Sequence, residues 1–396
     1  MAVAVGAMVL IAGDGATIAR PMATPPGGMA DAGGTPPPVP AAVAAAPVAL
    51  LVDMSSGRTL YARDADRRFL PASVTKVMTA YTAFDLLSQG RLRADQPIAV
   101  SDSAWAAWHA KGSRMFLARG SRPTVDQLLM GIATVSANDG CIVLAEGAAG
   151  SVAGWVALMN AEARRLGMTG SHFGTPNGWM DKGNTYYTAR DLATLAEAMI
   201  ARYPQYYHRY IGHKWLTWNG ITQPNHDPVI GIVAGADGIK TGFTDEARYT
   251  YVGSAERGGR RLVMVLAAVP TAPERARAAR ALLEWGFDAW NAWPLFAAGD
   301  IVGQAEVQQG SAATVGLVAP RPYFLTMAPG EAQPVSLHVI YEGPMRAPIT
   351  RGAHVADLEI RIGSAAPVRM PLVAASDVAR GDAFDRLRAG LTELLR

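Results

Sequence analysis

The chain has 396 residues, half of them hydrophobic and 17% charged, which is enough for two domains with well-filled cores. A formal charge of +3, with no basic run interleaved with aromatics, excludes a nucleic-acid-binding reading. Cys141 is the only cysteine, so no internal disulfide can form and cysteine usage leaves the redox compartment open.

Residues 1–12, MAVAVGAMVLIA, are apolar and too short to span a bilayer. They resemble the apolar region of a secretory signal, although the positive residues expected before such a region are missing. A start further upstream, an unusual signal and a plain disordered end stay open. Residues 21–47 are rich in Pro, Gly and Ala and read as a flexible leader, so 1–45 is set aside from the folded part.

Residues 48–54 and 58–62 flank Ser55, Ser56 and Gly57 and predict a hairpin. From Ser73 the apolar Val74, Val77, Met78, Tyr81, Phe84 and Leu87 follow helical spacing. A mostly helical stretch is expected over 124–202, including 152–166 and 189–202. Strands are expected over 239–243, 249–255 and 261–269, then a helix over 274–290. Strands at both ends with helices between them predict an α+β domain over 46–296, an antiparallel sheet carrying a helical subdomain.

From about residue 297 short apolar runs alternate with Gly and Pro turns, which predicts a small all-β domain over 297–375. Residues 376–396 place Phe384, Leu387, Leu391, Leu394 and Leu395 on one helical face. That predicts an amphipathic C-terminal helix making a peripheral membrane contact. Its four arginines are balanced by four acids, so a helix packed on the β-domain is the alternative.

Three motifs carry the chemistry. Ser73-Val-Thr-Lys76 follows a proline at the head of a predicted helix; the chain has five lysines, and only Ser73 has one three residues on. A serine hydroxyl is a poor nucleophile until a base takes its proton, and a lysine one turn along the helix is within reach. The lysine is a base near neutral pH only if burial or a second cation lowers its pKa, and Lys240 could be that cation. Ser136-Ala-Asn138 could relay a proton to a leaving amine and hold a substrate carbonyl. Lys240-Thr241-Gly242 lies on a predicted strand, where Gly242 would let a substrate backbone approach the strand edge. Each motif alone also fits a plain structural role: a helix-cap serine, an N-cap asparagine, a turn-edge lysine. Their order and company favour catalysis. No Gly-x-Ser-x-Gly elbow, zinc-binding histidine pair or phosphate loop competes, so neither metal nor cofactor is expected.

With its context Leu70-Pro-Ala-Ser-Val-Thr-Lys76, Asn138-Asp139 and Asp237-Gly-Ile-Lys-Thr-Gly-Phe-Thr-Asp245, the chain resembles the serine-type D-alanyl-D-alanine carboxypeptidases, low-molecular-mass penicillin-binding proteins. The resemblance implies that Ser73 is the acylated nucleophile and Lys76 its general base. It implies that Ser136, Asn138 and Lys240 handle proton transfer and substrate binding. The backbone N–H groups of Ser73 and Phe243 would form an oxyanion hole, and Thr241 and Arg275 would hold a free C-terminal carboxylate. The expected partners are peptidoglycan stem peptides ending in D-Ala-D-Ala, with β-lactams as inhibitors, and the expected location is the periplasm. Phe243 stands where many members have His, and Ala137 where many have Gly. Both departures bear on rate or β-lactam affinity rather than on reaction class.

Three rivals remain at this point. A β-lactamase of the same fold would need a Glu-x-x-x-Asn between Ser136 and Lys240, and the chain has none there. A cross-link endopeptidase is disfavoured by the β-domain. A non-catalytic wall-binding or β-lactam-sensing protein is disfavoured by the complete motifs.

Overall fold

The first hairpin pairs β1 (Val48–Asp53) with β2 (Arg58–Arg63), and Gly57 supplies the left-handed turn residue, φ 70°, that closes it. The computed structural model describes residues 34–382; the signal-like segment and most of the predicted C-terminal helix lie outside the described residues. The chain divides into two compact units. One holds Val39–Val52 and Thr59–Phe287; the other holds Asp53–Arg58 and the described residues from Asp288 onward, with 34–38.

The helical part of the larger unit comprises α1 (Lys76–Ser88), α2 (Asp102–Trp108), α3 (Val125–Val135), α4 (Asn138–Ala149), α5 (Val152–Arg165), α6 (Ala189–Arg202) and α7 (Pro204–Tyr210). A small hairpin follows, β3 (Trp215–Trp218) with β4 (Ile221–Pro224). Then come β5 (Ala236–Thr244), β6 (Arg248–Arg257), β7 (Arg260–Val269) and α8 (Ala272–Asp288). The main sheet has the order β2-β1-β7-β6-β5, which makes β5 an edge strand. Its central strand β7 is a near-continuous apolar run because it is covered on both faces. Gly286 lets α8 close on Leu51 and Leu262, where a side chain would come within 2.7 Å of Leu262.

Two helices decide where the site falls. Helix α1 is buried on nearly every side, from Lys76 through Leu87, so it is a core helix and not an amphipathic surface one. Helix α3 starts with a capping box, Thr124 and Gln127 bonding each other's backbone N–H groups. It ends at Ser136, whose φ of 61° is left-handed, and α4 begins two residues later at Asn138.

The second unit adds β8 (Asn291–Phe296), β9 (Ile301–Gln308), β10 (Thr314–Val318), β11 (Tyr323–Met327), β12 (Val335–Ile340), β13 (Met345–Arg346), β14 (His354–Ile362) and β15 (Val368–Ala374). They form a six-stranded sheet of order β12-β14-β15-β10-β9-β13 and a two-stranded sheet of β11 and β8. Alternate residues such as Leu317, Leu337, Leu358 and Leu372 fill its core.

The antiparallel sheet with inserted helices and the all-β second unit are as the sequence predicts. The boundary differs. Residues 291–296, assigned to the first domain from sequence, form β8 and pair with β11, so the first unit ends at Phe287. The predicted helix over 376–396 is also corrected at its start. Residues 376–382 are not helical; Val378 bridges Ile349 and Arg380 bridges Gly310. No single helix among the described residues is long and apolar enough to cross a membrane.

Candidate active site

Ser73 sits in a short 3-10 turn, Ala72–Thr75, that feeds directly into α1. The residue before it, Ala72, has φ 50°, a conformation a non-glycine residue adopts only when its surroundings hold it. Three neighbours do so. Thr75 Oγ1 donates to the Ala72 carbonyl at 2.9 Å, and Thr250 Oγ1 donates to the Pro71 carbonyl at 2.9 Å. Gly178, itself at φ 73°, lies so close that a side chain there would overlap the Ala72 carbonyl.

Lys76 reaches back one turn to Ser73, its Nζ donating to Oγ at 2.8 Å. Its other two bonds go to Asn138 Oδ1 and the Asn177 carbonyl, each at 2.8 Å. The side chain is 1% exposed, and burial lowers its pKa to about 8 against weaker opposing effects of Cys141 and Asp139. Lys76 is therefore pinned by three acceptors and poised near neutrality.

Asn138 spends its Oδ1 on Lys76. Its Nδ2 lies beside Gly112, where a side chain would come within 2.7 Å of it. The next residue, Asp139, organises the facing loop: its carboxylate accepts backbone N–H groups of Met115 and Leu117 at 3.0 and 3.1 Å. The Ser113 carbonyl in that loop accepts the Asn138 N–H at 2.9 Å. Ser136 Oγ is buried and has no hydrogen-bond partner among the described residues. A strained backbone holding an unsatisfied hydroxyl marks a place where a ligand group completes the bonding.

On β5, Lys240 is 6% exposed, and its Nζ donates to the Thr241 carbonyl at 2.8 Å. Burial pushes its pKa well down, and the charges of Lys76 and Arg275 push it further. A direct Ser136–Lys240 bond, which a proton relay would use, is therefore not made here. Gly242 faces Pro71 and Ser73, where a side chain would meet the Pro71 carbonyl at 2.7 Å and the Ser73 nitrogen at 3.1 Å. Only glycine lets the strand and the serine turn approach this closely.

Arg275 comes in from α8. It is 7% exposed, its Nε is unpartnered, and Nη2 donates to the His226 carbonyl at 3.4 Å. The guanidinium lies 5.5 Å from the centre of the Tyr249 ring, and Tyr249 stacks on Phe243 with ring centres 4.3 Å apart. That stack follows from register, since Phe243 on β5 pairs directly with Tyr249 on β6. Phe243 is 46% exposed, an apolar lip on the site.

Ser73, Lys76, Ser136, Asn138, Lys240, Thr241, Gly242, Phe243 and Arg275 all belong to the larger unit; hydrogen bonds join Ser73, Lys76 and Asn138, and Gly242 lies against the serine turn. Several neighbours carried no such signal. The Asn177 carbonyl and the Ser113 carbonyl act through backbone, which no side-chain pattern reveals. His226 is held below its usual pKa by burial and by Lys240 and Arg275. Cys141 is fully buried and its thiol is pushed up to about 12, so it behaves as a small core residue. Tyr203 and Tyr210 pack against α1, Tyr203 meeting Tyr81 edge-on at 5.3 Å and Tyr210 stacking on Phe84 at 5.6 Å. Among the described residues no cluster of His, Cys, Asp or Glu could hold a metal ion.

Comparison with known proteins places this geometry. A family profile described as D-alanyl-D-alanine carboxypeptidase matches residues 35–271, and one described as the C-terminal domain of penicillin-binding protein 5 matches 290–380. The D-alanyl-D-alanine carboxypeptidase DacD of Salmonella typhimurium is 32% identical over 343 residues, 85% of this chain and 87% of its own length. The crystal structure of penicillin-binding protein 5 from Haemophilus influenzae has a TM-score of 0.68 at 30% identity, covering 87% of this chain and 99% of that one. Penicillin-binding protein D2 of Listeria monocytogenes in its ampicillin-bound form has a TM-score of 0.56 at 28% identity, over 62% of this chain and 98% of that one.

Proposed function

The chain belongs to the D-alanyl-D-alanine carboxypeptidase family and is a serine-type enzyme of that class, and on that premise we propose how its residues divide the work. The observation that carries the reading is the Lys76 Nζ at 2.8 Å from Ser73 Oγ, buried and with a pKa lowered to about 8.

A stem peptide ending in D-Ala-D-Ala enters with its terminal carboxylate at Lys240, Thr241 and Arg275. Burying a carboxylate beside these groups supplies the negative charge that they lack. It favours the protonated form of Lys240, and the repulsion between the two lysines then favours the neutral form of Lys76. Substrate binding so prepares its own base. Lys76 takes the Ser73 proton, and Oγ attacks the carbonyl carbon of the penultimate residue. The backbone N–H groups of Ser73 and Phe243 receive the developing oxyanion. Asn138 Nδ2 holds the preceding amide carbonyl. As the carbon–nitrogen bond breaks, the proton passes through Ser136 to the leaving amine, and D-alanine departs. Water then attacks the ester, its proton accepted by Lys76, and Ser73 is regenerated. The substrate is part of the bacterial wall, so the enzyme works outside the cytoplasm.

Mass spectrometry after mixing with penicillin tests the nucleophile. One adduct is expected, on the peptide containing Ser73, persisting for minutes, while a D-Ala-D-Ala peptide releases D-alanine catalytically. The opened lactam stays tethered where D-alanine would have left, and it obstructs water. Rapid destruction of penicillin with no lasting adduct and no D-alanine release would move the assignment to β-lactamase.

Tyr249 tests the carboxylate pocket. Its ring supports the Arg275 guanidinium, an interaction of up to roughly 2 kcal/mol where desolvated. Tyr249→Leu is expected to raise KM for a D-Ala-D-Ala peptide about tenfold with kcat less affected. Tyr249→Phe keeps the ring and is expected to restore KM. Equal loss in both variants would assign the effect to the hydroxyl instead.

A further inference from the structure

Tyr251 has one hydroxyl proton to share among three close oxygens. Its Oη lies 2.9 Å from Asp227 Oδ2, 3.1 Å from Asp227 Oδ1 and 2.9 Å from the Gly238 carbonyl oxygen. Tyr251 is fully buried on β6, opposite Thr241 on β5, so it cannot swing away from either acceptor. Asp227, on the loop before β5, is fixed as well, because its Oδ1 accepts the N–H groups of Val229 and Ile230 at 2.9 and 3.1 Å. A hydroxyl that donates to Gly238 has no proton left for an ionised Asp227, and two bare oxygens 2.9 Å apart repel. A proton on Asp227 removes the conflict: the carboxyl group donates to Tyr251, and Tyr251 donates to Gly238. Burial raises the Asp227 pKa in the same sense, against the pull of the Val229 and Ile230 N–H groups, Tyr251 and Arg275. The charged and titratable groups around Asp227 are Tyr251 on β6, Lys240 on β5, Arg275 and Arg280 on α8, Tyr207 on α7 and the adjoining His226. Its negative charge, when present, acts on both Lys240 and Arg275.

We propose that Asp227 sets how strongly the site holds a terminal carboxylate: it is a neutral acid bonded to Tyr251 while that carboxylate is bound, and it ionises when the pocket empties. The inference rests on the carboxylate recognition by Lys240, Thr241 and Arg275 proposed above. One anion replaces another beside the two cations, and the proton that balances the exchange comes from solvent and returns to it. With Asp227 neutral, an incoming carboxylate meets Lys240 and Arg275 alone. With Asp227 ionised, it enters a pocket that already holds a negative charge. Coupling of this kind is reciprocal, so substrate binding draws a proton onto Asp227 and loss of that proton weakens binding. Affinity for the carboxylate therefore falls as pH rises through the Asp227 pKa. The same exchange aids turnover, since departing D-alanine takes its carboxylate away and Asp227 supplies the charge left missing. Asp227 touches no reacting atom, so it is a positioning residue that acts through Lys240 and Arg275.

The test compares acylation of the full chain by penicillin and by its methyl ester, which keeps the lactam and masks the carboxylate. Rates are taken over a series from about pH 5 to about pH 7, above the ordinary carboxylate range. The ratio of the two rates cancels the ionisation of Lys76, which both reactions share, and reports the carboxylate alone. In the parent the ratio is expected to fall about fivefold across the series, the low end of an ordinary coupling between two sites. In Asp227→Asn it should stay at the parent's low-pH value throughout. The amide carries no charge, and its Nδ2 donates to Tyr251 as the protonated acid does, so the variant keeps the bonding of the neutral state. A parent ratio that does not change with pH would overturn the proposal even if the variant failed to fold. A ratio that falls equally in parent and variant would overturn it too and assign the effect to Lys240. Either result leaves the carboxypeptidase reading standing. A ratio near one at every pH in both proteins would overturn the Asp227 proposal together with the carboxylate pocket on which it rests.

Discussion

Lys76→Ala is expected to lower acylation of Ser73 by penicillin at least about 10³-fold, within the range that a positioned general base supplies. No other described side chain is bonded to Ser73 Oγ, so no second base stands ready to take its proton. The substitution also removes an ammonium that is costly to bury, which argues that the folded chain survives it and that its melting temperature measures this directly. A pH series adds an independent reading. With a pKa of about 8, roughly one-tenth of Lys76 is neutral at pH 7, and the acylation rate of the parent should rise nearly tenfold from pH 6 to pH 7 and level off above about pH 8. The linkage to stability has the same sign. Between about pH 8 and the unfolded value near 10.5, the unfolded chain holds a proton that the folded chain lacks, so this group's contribution to stability rises across that window. A folded Lys76→Ala protein that acylates within tenfold of the parent would remove Lys76 as base.

Most of this site was legible before any coordinates because its parts are side chains at short, fixed spacings. A lysine three residues after a serine shares a helical face with it whatever the rest of the fold does. Asn138 and Lys240 were found by company: three weak motifs in one order are far rarer than any one alone. The β-rich second unit was likewise legible, since short apolar runs such as 314–318, 323–327 and 335–340, set off by Gly and Pro turns, mark strands in the sequence itself. What was missed has no local signature. The carbonyls of Asn177 and Ser113 act through backbone. Stacking of Phe243 on Tyr249 and then Arg275 depends on strand register and on where α8 docks. The six residues of β8 contain Pro and Trp and follow the helix expected to end at 290, with no strand pattern of their own, and only pairing with β11 makes them a strand. Helix α7 and the β3–β4 hairpin are short, so tertiary contacts rather than periodicity decide them.

Gly178→Ala is the second large effect, and it tests whether the serine turn is held from outside. Gly178 has φ 73°, which costs alanine about 1–2 kcal/mol by itself. Its added methyl would also overlap the Ala72 carbonyl, so either the 178–185 loop or the Ala72–Thr75 turn must move. Both outcomes touch the site. Movement of the turn carries Ser73 away from Lys76, and movement of the loop carries the Asn177 carbonyl away from it. A displacement of about 1 Å in a reacting group is worth on the order of 100-fold in rate, and acylation should fall by about that much. Gly150→Ala separates this from backbone strain alone. Gly150 has the same φ of 73° at the end of α4, yet nothing lies within 4 Å of where its methyl would go. It should lose similar intrinsic stability and keep its acylation rate. Equal acylation rates in the two variants would show that Ser73 is positioned by its own turn and helix, with Gly178 contributing only a loop conformation.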